Sequence, residues 1–245
     1  FAAVAAEMFD ANNALFTPSE DGVTFRPNEH SHVNPDHLSY FEFAGAVVGL
    51  ALYHDDVLNV RFATSFLKQL VAQRVTLADV QCVDADVHRS LCWLLDNDVD
   101  ALELTFAVDA VVFGEQRRVE LVPGGDERAV TNANKHEYVR RVVEQRLCGA
   151  VAAQTRAFQR GLYAYVPQRD LAVFAPAELE LLIAGLPTID VDAWRAHTAY
   201  HGGYDAHADA VRWFWRYVRA LTQPQRAELL AFCTGSSRVL LTTHL

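Results

Sequence analysis

Positive charge is scarce in this 245-residue sequence. Its 21 lysines and arginines face 31 aspartates and glutamates, leaving a formal charge of −10. That balance excludes a nucleic-acid partner, because phosphate recognition needs a basic face and none is visible. Cysteines are few, and Cys82, Cys92, Cys148 and Cys233 form no Cys-x-x-Cys pair, which removes zinc ribbons and redox dithiols. Long apolar runs are missing as well. The stretch FAGAVVGLALY, from Phe43 to Tyr53, has 11 uncharged residues, against the roughly 20 a membrane-spanning helix needs. No membrane partner is expected, and the small-xxx-small pair Gly45 and Gly49 reads as a tightly packed core helix. The opening FAAVAAEMF lacks the basic residues of a signal peptide. A large core without secretory features points to reduced thiols and a cytoplasmic location, with the nucleus also open.

Catalytic signatures are equally sparse. There is no Gly-x-Ser-x-Gly elbow, no phosphate-binding P-loop and no dinucleotide fingerprint. The ten histidines include His30, His32 and His37 before one helix and His201 and His207 around Gly202-Gly203. Neither group has the HExxH or Cys/His spacing of a zinc site, so no metal and no cofactor is expected. His54-Asp55-Asp56 falls where a helix ends, which suits a capping histidine better than an acid–base cluster. Cys233 follows Leu229, Leu230 and Phe232 with no lysine nearby, and is expected to be a small buried hydrophobe rather than a nucleophile.

What remains is a globular chain, 51% apolar and long enough to bury a substantial core. Asn34 and Pro35 are expected to open a central helix running to about His54, followed by a helix with Phe62, Phe66 and Leu70 on one stripe. Asp84 should cap a third, with Val87, Leu91, Leu94 and Leu95 inward and His88 and Arg89 outward. The period then changes to two: Leu102, Leu104, Phe106 and Val108 alternate as in a strand, and Val119 and Leu121 suggest its partner. Thr131 is expected to cap the next helix, whose Tyr138, Val142 and Val143 share a face. Helices dominate to the end: Pro176 to Ala184 stopping at Gly185, a short one from Asp190, a Val211, Phe214, Trp215, Val218 core stripe, and a Thr222–Gln225 capping box with Gly235 as a stop. The fold class is therefore α+β, mainly helical, with a small inserted α/β subdomain.

Nine strings, taken in order, carry a resemblance. They are HLSYFEFAGAVVGLALYH (37–54), LCWLLDND (91–98), LTFAVD (104–109), FGEQRRVELVPGG (113–125), VTNANKHEYV (130–139), AFQRGLY (157–163), ELELLIAGLPTIDVDAW (178–194), GGYDAHADAVRWFW (202–215) and LLAFCTGSSR (229–238). Together they resemble the N-terminal lobe of a HECT-type ubiquitin ligase. The resemblance implies a large helical subdomain, about 1–74 and 139–245, and a small subdomain, about 75–138, that binds a ubiquitin-conjugating enzyme. It implies ubiquitin, as a thioester on that carrier, as a second partner, and a protein substrate held by regions outside this chain. The family's ubiquitin-accepting cysteine lies in a C-terminal lobe, in an LPxxHTCF-like motif that this sequence does not contain. No catalytic residue is therefore assigned here, the C-lobe is read as absent from the chain, and the chain alone is expected to be inactive. The family's Pro after the TG-S-x-R segment is replaced, Arg238 being followed by Val239-Leu240-Leu241. In DGVTFRPN (21–28), Val23 stands near the aromatic position of the family's non-covalent ubiquitin site, and no residues are assigned to such a site.

The resemblance carries a conjugating-enzyme groove onto Val87, Ser90, Leu91, Leu94, Leu102, Leu104 and Tyr138. An apolar trough with one phenol suits a protruding aromatic side chain. For Leu91 and Leu94 the alternative is that they are the subdomain's own core. Independently of the resemblance, Asp84, Asp86, Asp96, Asp98, Asp100, Glu103 and Asp109 stand against Arg89 alone between positions 84 and 109. Such a rim steers a basic partner, unless it is only the solvated surface of an acidic protein. Two functions remain in view: the recruiting half of a ubiquitin transferase, or a non-catalytic HECT-like binding module or scaffold.

Overall fold

Two helices of small residues form the centre of the molecule. In the computed structural model, which describes all residues except 1–3, 5–6, 20, 59, 113–114, 186–187 and 235–245, α1 (His37–Tyr53) packs along α6 (Ala152–Tyr163). A Cβ added to Gly45 would lie 1.9 Å from the Phe158 carbonyl oxygen, and one added to Gly161 would lie 1.9 Å from that of Glu42. The glycines are there to let two backbones touch, as the small-xxx-small spacing predicted. Helix α1 starts two residues later than the Asn34–Pro35 signal suggested. Asn34 Oδ1 accepts the Asp36 N–H (3.1 Å), a turn that precedes the helix rather than capping it.

Around this pair lie β1 (Phe16–Pro18), antiparallel to β2 (Phe25–Pro27), and α2 (Thr64–Leu70). Their aromatic rings meet mostly edge-on: Phe16, Phe62 and Phe66 each contact Phe158, with centroids 6.4, 5.7 and 5.1 Å away. Leu70 is fully buried beside them, so the expected Phe62, Phe66, Leu70 stripe is real, although Phe62 precedes the helix.

A second core is built from α3 (Leu77–Val80), α4 (Ala85–Asp96) and α5 (Lys135–Glu144), and the hairpin β3 (Ala107–Val112) and β4 (Glu115–Glu120) joins it through the flanking Phe106 and Leu121. The strands pair antiparallel, Ala107 opposite Glu120 and Val112 opposite Glu115. Val80, Leu91, Val99, Phe106, Tyr138 and Val143 are among its buried members, and the cluster runs on to Leu147 in a π-helical segment, Gln145–Gly149. The strand expectation needs correction at its start. Leu102 ends a 3-10 turn (Asp100–Leu102) and Leu104 lies in the segment before β3. Glu103 between them has φ of 51°, a left-handed conformation that breaks the alternation of a regular strand. Thr131 is likewise not the helix cap. Its N–H donates to Asn134 Oδ1 (2.8 Å), and α5 begins after Asn134.

The chain continues through α7 (Gln168–Leu171), α8 (Pro176–Ala184), α9 (Val191–Ala196), α10 (Asp209–Ala220) and α11 (Gln223–Thr234). The expected boundaries of α8 hold, with Gly185 at φ 70°. Asp190 caps α9 through the N–H groups of Asp192 and Ala193. Gln225 Oε1 accepts both the N–H and hydroxyl of Thr222 at the start of α11. The third core holds Val191, Trp215 and Val218. Trp215 is buried and donates its Nε1–H to the Tyr200 hydroxyl (2.8 Å), but Phe214, expected in the core, is 41% exposed and only rests edge-on against Trp215. Val211, partly buried against this core, completes the inward strip of α10. Cys233 is also a correction. It is exposed, because α11 buries Leu230 and its last turn turns Phe232 and Cys233 outward. The expected stop at Gly235 lies outside the described residues. The architecture is mainly helical α+β.

Candidate docking groove

The groove begins with a well-fixed helix start. Asp84 Oδ1 accepts the Val87 N–H (3.0 Å) and its Oδ2 pairs with Arg146 (2.7 Å). Partial burial acts to raise the Asp84 pKa, but these hydrogen bonds and the guanidinium charge hold it below the ordinary carboxylate value. Helix α4 is thus anchored at its first turn and presents one face to solvent.

The opposite wall is positioned by Asn132. Its Oδ1 accepts the Val99 N–H (3.2 Å), its Nδ2 donates to Asp98 (2.8 Å), and its own N–H donates to Asp100 (2.9 Å). Lys135 Nζ adds a bond to the Asn97 carbonyl (2.6 Å), and the Val130 N–H donates to the Leu104 carbonyl (2.8 Å). The side-chain bond from Asn132, followed by the Asp100 N–H bond, holds Asp98 below its usual pKa. The left-handed Glu103 separates Leu102 from Leu104, and both leucines line the groove.

Between these walls lies an open groove of about 770 Å³, and most of its exposed lining is apolar. Of the residues expected to form a groove, Ser90, Leu91, Leu94, Leu102, Leu104 and Tyr138 are brought together along it. Val87 does not; it is half-buried against the second core. Three lining residues were missed: Asp86, Arg89 and Trp93. Helical spacing held the signal, since Asp86, Ser90 and Trp93 fall at i, i+4 and i+7 on the face that Ser90 already marked. Leu91 is 4% exposed and Tyr138 7%, and both belong to the second core, with Leu94 partly buried against it, while all three line the groove. Burial raises the Tyr138 phenol pKa, and Arg118 acts against that.

Other concave or reactive places carry less. A second hollow, of about 420 Å³, is bordered by Asp190, Asp192, Arg219, Gln223 and Arg226. Its groups satisfy one another: Asp190 caps α9, Arg219 pairs with Asp192, and Arg226 donates to the carbonyls of Val218 and Arg219. Cys148 is pushed up to about 11 by burial, a poor thiolate. Cys92 Sγ lies 3.6 Å from His88 Nε2 one turn away, and neither residue lines the groove. Among the described residues no group of three or more His, Cys, Asp or Glu is placed to hold a metal, and no helix is long and apolar enough to cross a membrane.

An apolar surface groove walled by a capped helix and a pinned loop thus lies on a mainly helical α+β scaffold. The chain belongs to the HECT-domain (ubiquitin-transferase) family, whose model matches residues 2–242. It is 46% identical over 235 residues, 95% of this chain, to the E3 ubiquitin-protein ligase HACE1 of Danio rerio, and 45% identical over 235 residues to that of Homo sapiens. It is 43% identical over 241 residues, 98% of this chain, to the E3 ubiquitin-protein ligase TOM1-like of Neurospora crassa. The chain spans 26% of the length of the two HACE1 relatives and 6% of the TOM1-like one.

Proposed function

We propose that this chain is the N-lobe of a HECT-type ubiquitin-protein ligase and that its α4–Tyr138 groove recruits a ubiquitin-charged conjugating enzyme. The observation that carries this reading is the groove lined by Leu91, Leu94, Leu102, Leu104 and Tyr138, in a chain that belongs to a ubiquitin-transferase family. Residues of about 75–138 form the recruiting subdomain, and the rest of the chain is the body that supports it. A cysteine outside this chain then attacks the carrier's thioester carbonyl as a thiolate. A new thioester forms, the carrier's cysteine leaves as thiolate, and a substrate lysine amine later attacks the new bond. None of the chain's own residues takes part in bond making. Its contribution is to hold two reactants together, which replaces a bimolecular encounter by an intramolecular one. Weak docking suits that task, because the spent carrier must leave; a dissociation constant on the order of micromolar, about −8 kcal/mol, is expected.

Calorimetric titration of the chain against a panel of ubiquitin-conjugating enzymes tests the proposal, with Leu102→Ala alongside. Leu102 is chosen because it lines the groove yet is 42% exposed, so its loss spares the core. Micromolar binding that weakens by about 1–2 kcal/mol in the variant supports recruitment. A chain that binds no member of the panel refutes it and leaves the alternative, a HECT-like scaffold without a recruiting role.

A further inference from the structure

Trp93 is out of place as a purely structural residue. It lies in the last turn of α4, it is 51% exposed, and no hydrogen bond or ring contact of its indole is found among the described residues. Leaving half an indole in water forgoes burial that a neighbour could have supplied, and tryptophan is among the residues that dominate binding energy at protein interfaces. The indole borders the groove next to Ser90 and Leu94.

The charges around it are unequal in their availability. Arg89, the cation of the groove lining, is paired with Asp86 at 2.7 Å, so the two cancel. Asp98 and Asp100 are occupied by Asn132. Asp96, one turn beyond Trp93, and Glu103, between the two lining leucines, are exposed and have no hydrogen-bond or ion-pair partner among the described residues. Asp96 thus leaves a free carboxylate one turn along α4 from Trp93, and Glu103 adds another on the opposite wall of the groove. An exposed indole face beside free carboxylates attracts a cation twice over, through its quadrupole and through the acids.

We infer that Trp93 is a specificity-determining residue of the groove, the platform on which a lysine or arginine of the conjugating enzyme lies while an aromatic neighbour of that residue enters the apolar trough. The inference rests on the recruitment reading and adds to it which carriers are chosen: those with a basic side chain flanking the docking aromatic.

The test is a double-mutant cycle by calorimetry. The chain and its Trp93→Ala and Trp93→Phe variants are titrated with the tightest-binding conjugating enzyme, and with versions of that enzyme in which each lysine or arginine flanking the docking aromatic is changed to alanine. Trp93→Ala is expected to weaken binding about 3- to 30-fold, and Trp93→Phe by less. One of the partner's alanine substitutions weakens binding to the wild-type chain by a similar factor and has no further effect on Trp93→Ala. Unchanged urea midpoints show that the variants are folded, as expected for an exposed position. Equal weakening of both chains by every partner substitution overturns the platform and makes Trp93 a simple apolar contact. Undiminished binding of Trp93→Ala overturns it too, while leaving recruitment standing. Absence of binding by the wild-type chain removes recruitment and the inference together.

Discussion

The ring of Tyr138 stands edge-on to that of Phe106, centroids 5.5 Å apart and planes at 83°, and the Arg128 guanidinium lies over the same Phe106 ring at 4.0 Å. Phe106 is fully buried and Tyr138 lines the groove, so this contact joins the groove directly to the second core. The groove's shape is therefore as stable as the core beneath it. Arg128 is in turn fixed by Glu137, one residue before Tyr138, at 2.7 Å.

Substitutions at Tyr138 should divide along that line. Tyr138→Ala removes a large buried ring and is expected to cost about 3–5 kcal/mol of stability. Tyr138→Phe keeps the ring, and no hydrogen bond of the Tyr138 hydroxyl is found among the described residues, so less than about 1 kcal/mol is expected. Urea unfolding of both variants measures the difference. Carrier binding should survive in Tyr138→Phe, which makes it the sound probe of the phenol, whereas loss of binding in Tyr138→Ala would report unfolding as much as recognition.

Asn132→Ala leaves the Val99 N–H without its acceptor and frees Asp98. Val99 is fully buried, so the unmade bond is costly, and about 1–3 kcal/mol of stability should be lost. The segment that carries Leu102 and Leu104 loses the two side-chain bonds of its tether to the loop before α5, while the backbone bonds remain. Carrier affinity should fall although Asn132 does not line the groove, and hydrogen exchange at Val99 should quicken. Slow exchange there in Asn132→Ala would show that the backbone bonds of Val130 and Phe106 hold the segment by themselves.

Much of this was legible from local signals. The Asp84 cap, the inward seam of α4, the α8 stop at Gly185 and the Thr222–Gln225 box each depend on residues within a few positions of one another, and the structure contains all of them. Leu102 and Leu104 line the groove, but periodicity put them on a strand, because alternation cannot register a single left-handed residue such as Glu103. Asn132 gave no signal because its partners lie 33 and 34 residues away. Phe214 and Cys233 were judged by amphipathic spacing, which ranks positions round a helix but does not say how wide a strip the neighbours cover. Trp93 was legible by spacing and was passed over because its neighbours Leu91, Leu94 and Leu95 were read as one apolar seam.

Acid should weaken the fold in part through Asp84. Its carboxyl is held below the ordinary value in the folded chain, so as pH falls through about 4 the unfolded state takes up the proton first. The stabilisation is complete above that value and is lost as pH drops through the lower, folded-state one. Asp84→Ala should cost about 1–2 kcal/mol at pH 7, the worth of an N-cap with a charged partner. The gap between variant and wild type should close as the pH falls below that ordinary carboxylate value. Urea midpoints measured at intervals across that range decide the matter: a gap that stays constant would mean that the hydrogen bond to Val87 does not depend on the carboxylate's charge.

Salt separates the two ways in which the groove's surroundings act on a carrier. If the free acids Asp96 and Glu103 steer a basic partner, the association rate should fall by about tenfold or more between ~20 and ~500 mM salt, because the screening length shrinks from tens of ångströms to a few. Glu103→Gln should lower the association rate at low salt and change little at high salt, with a small effect on dissociation. Trp93→Ala should do the reverse, leaving association nearly unchanged and speeding release, since a contact made only after docking is felt in the lifetime of the complex. Stopped-flow rates for the two variants at both salt concentrations separate steering from holding. A carrier whose association rate ignores salt would show the acidic rim to be ordinary solvated surface, and would leave partner choice to the short-range contacts at Trp93, Leu102 and Leu104.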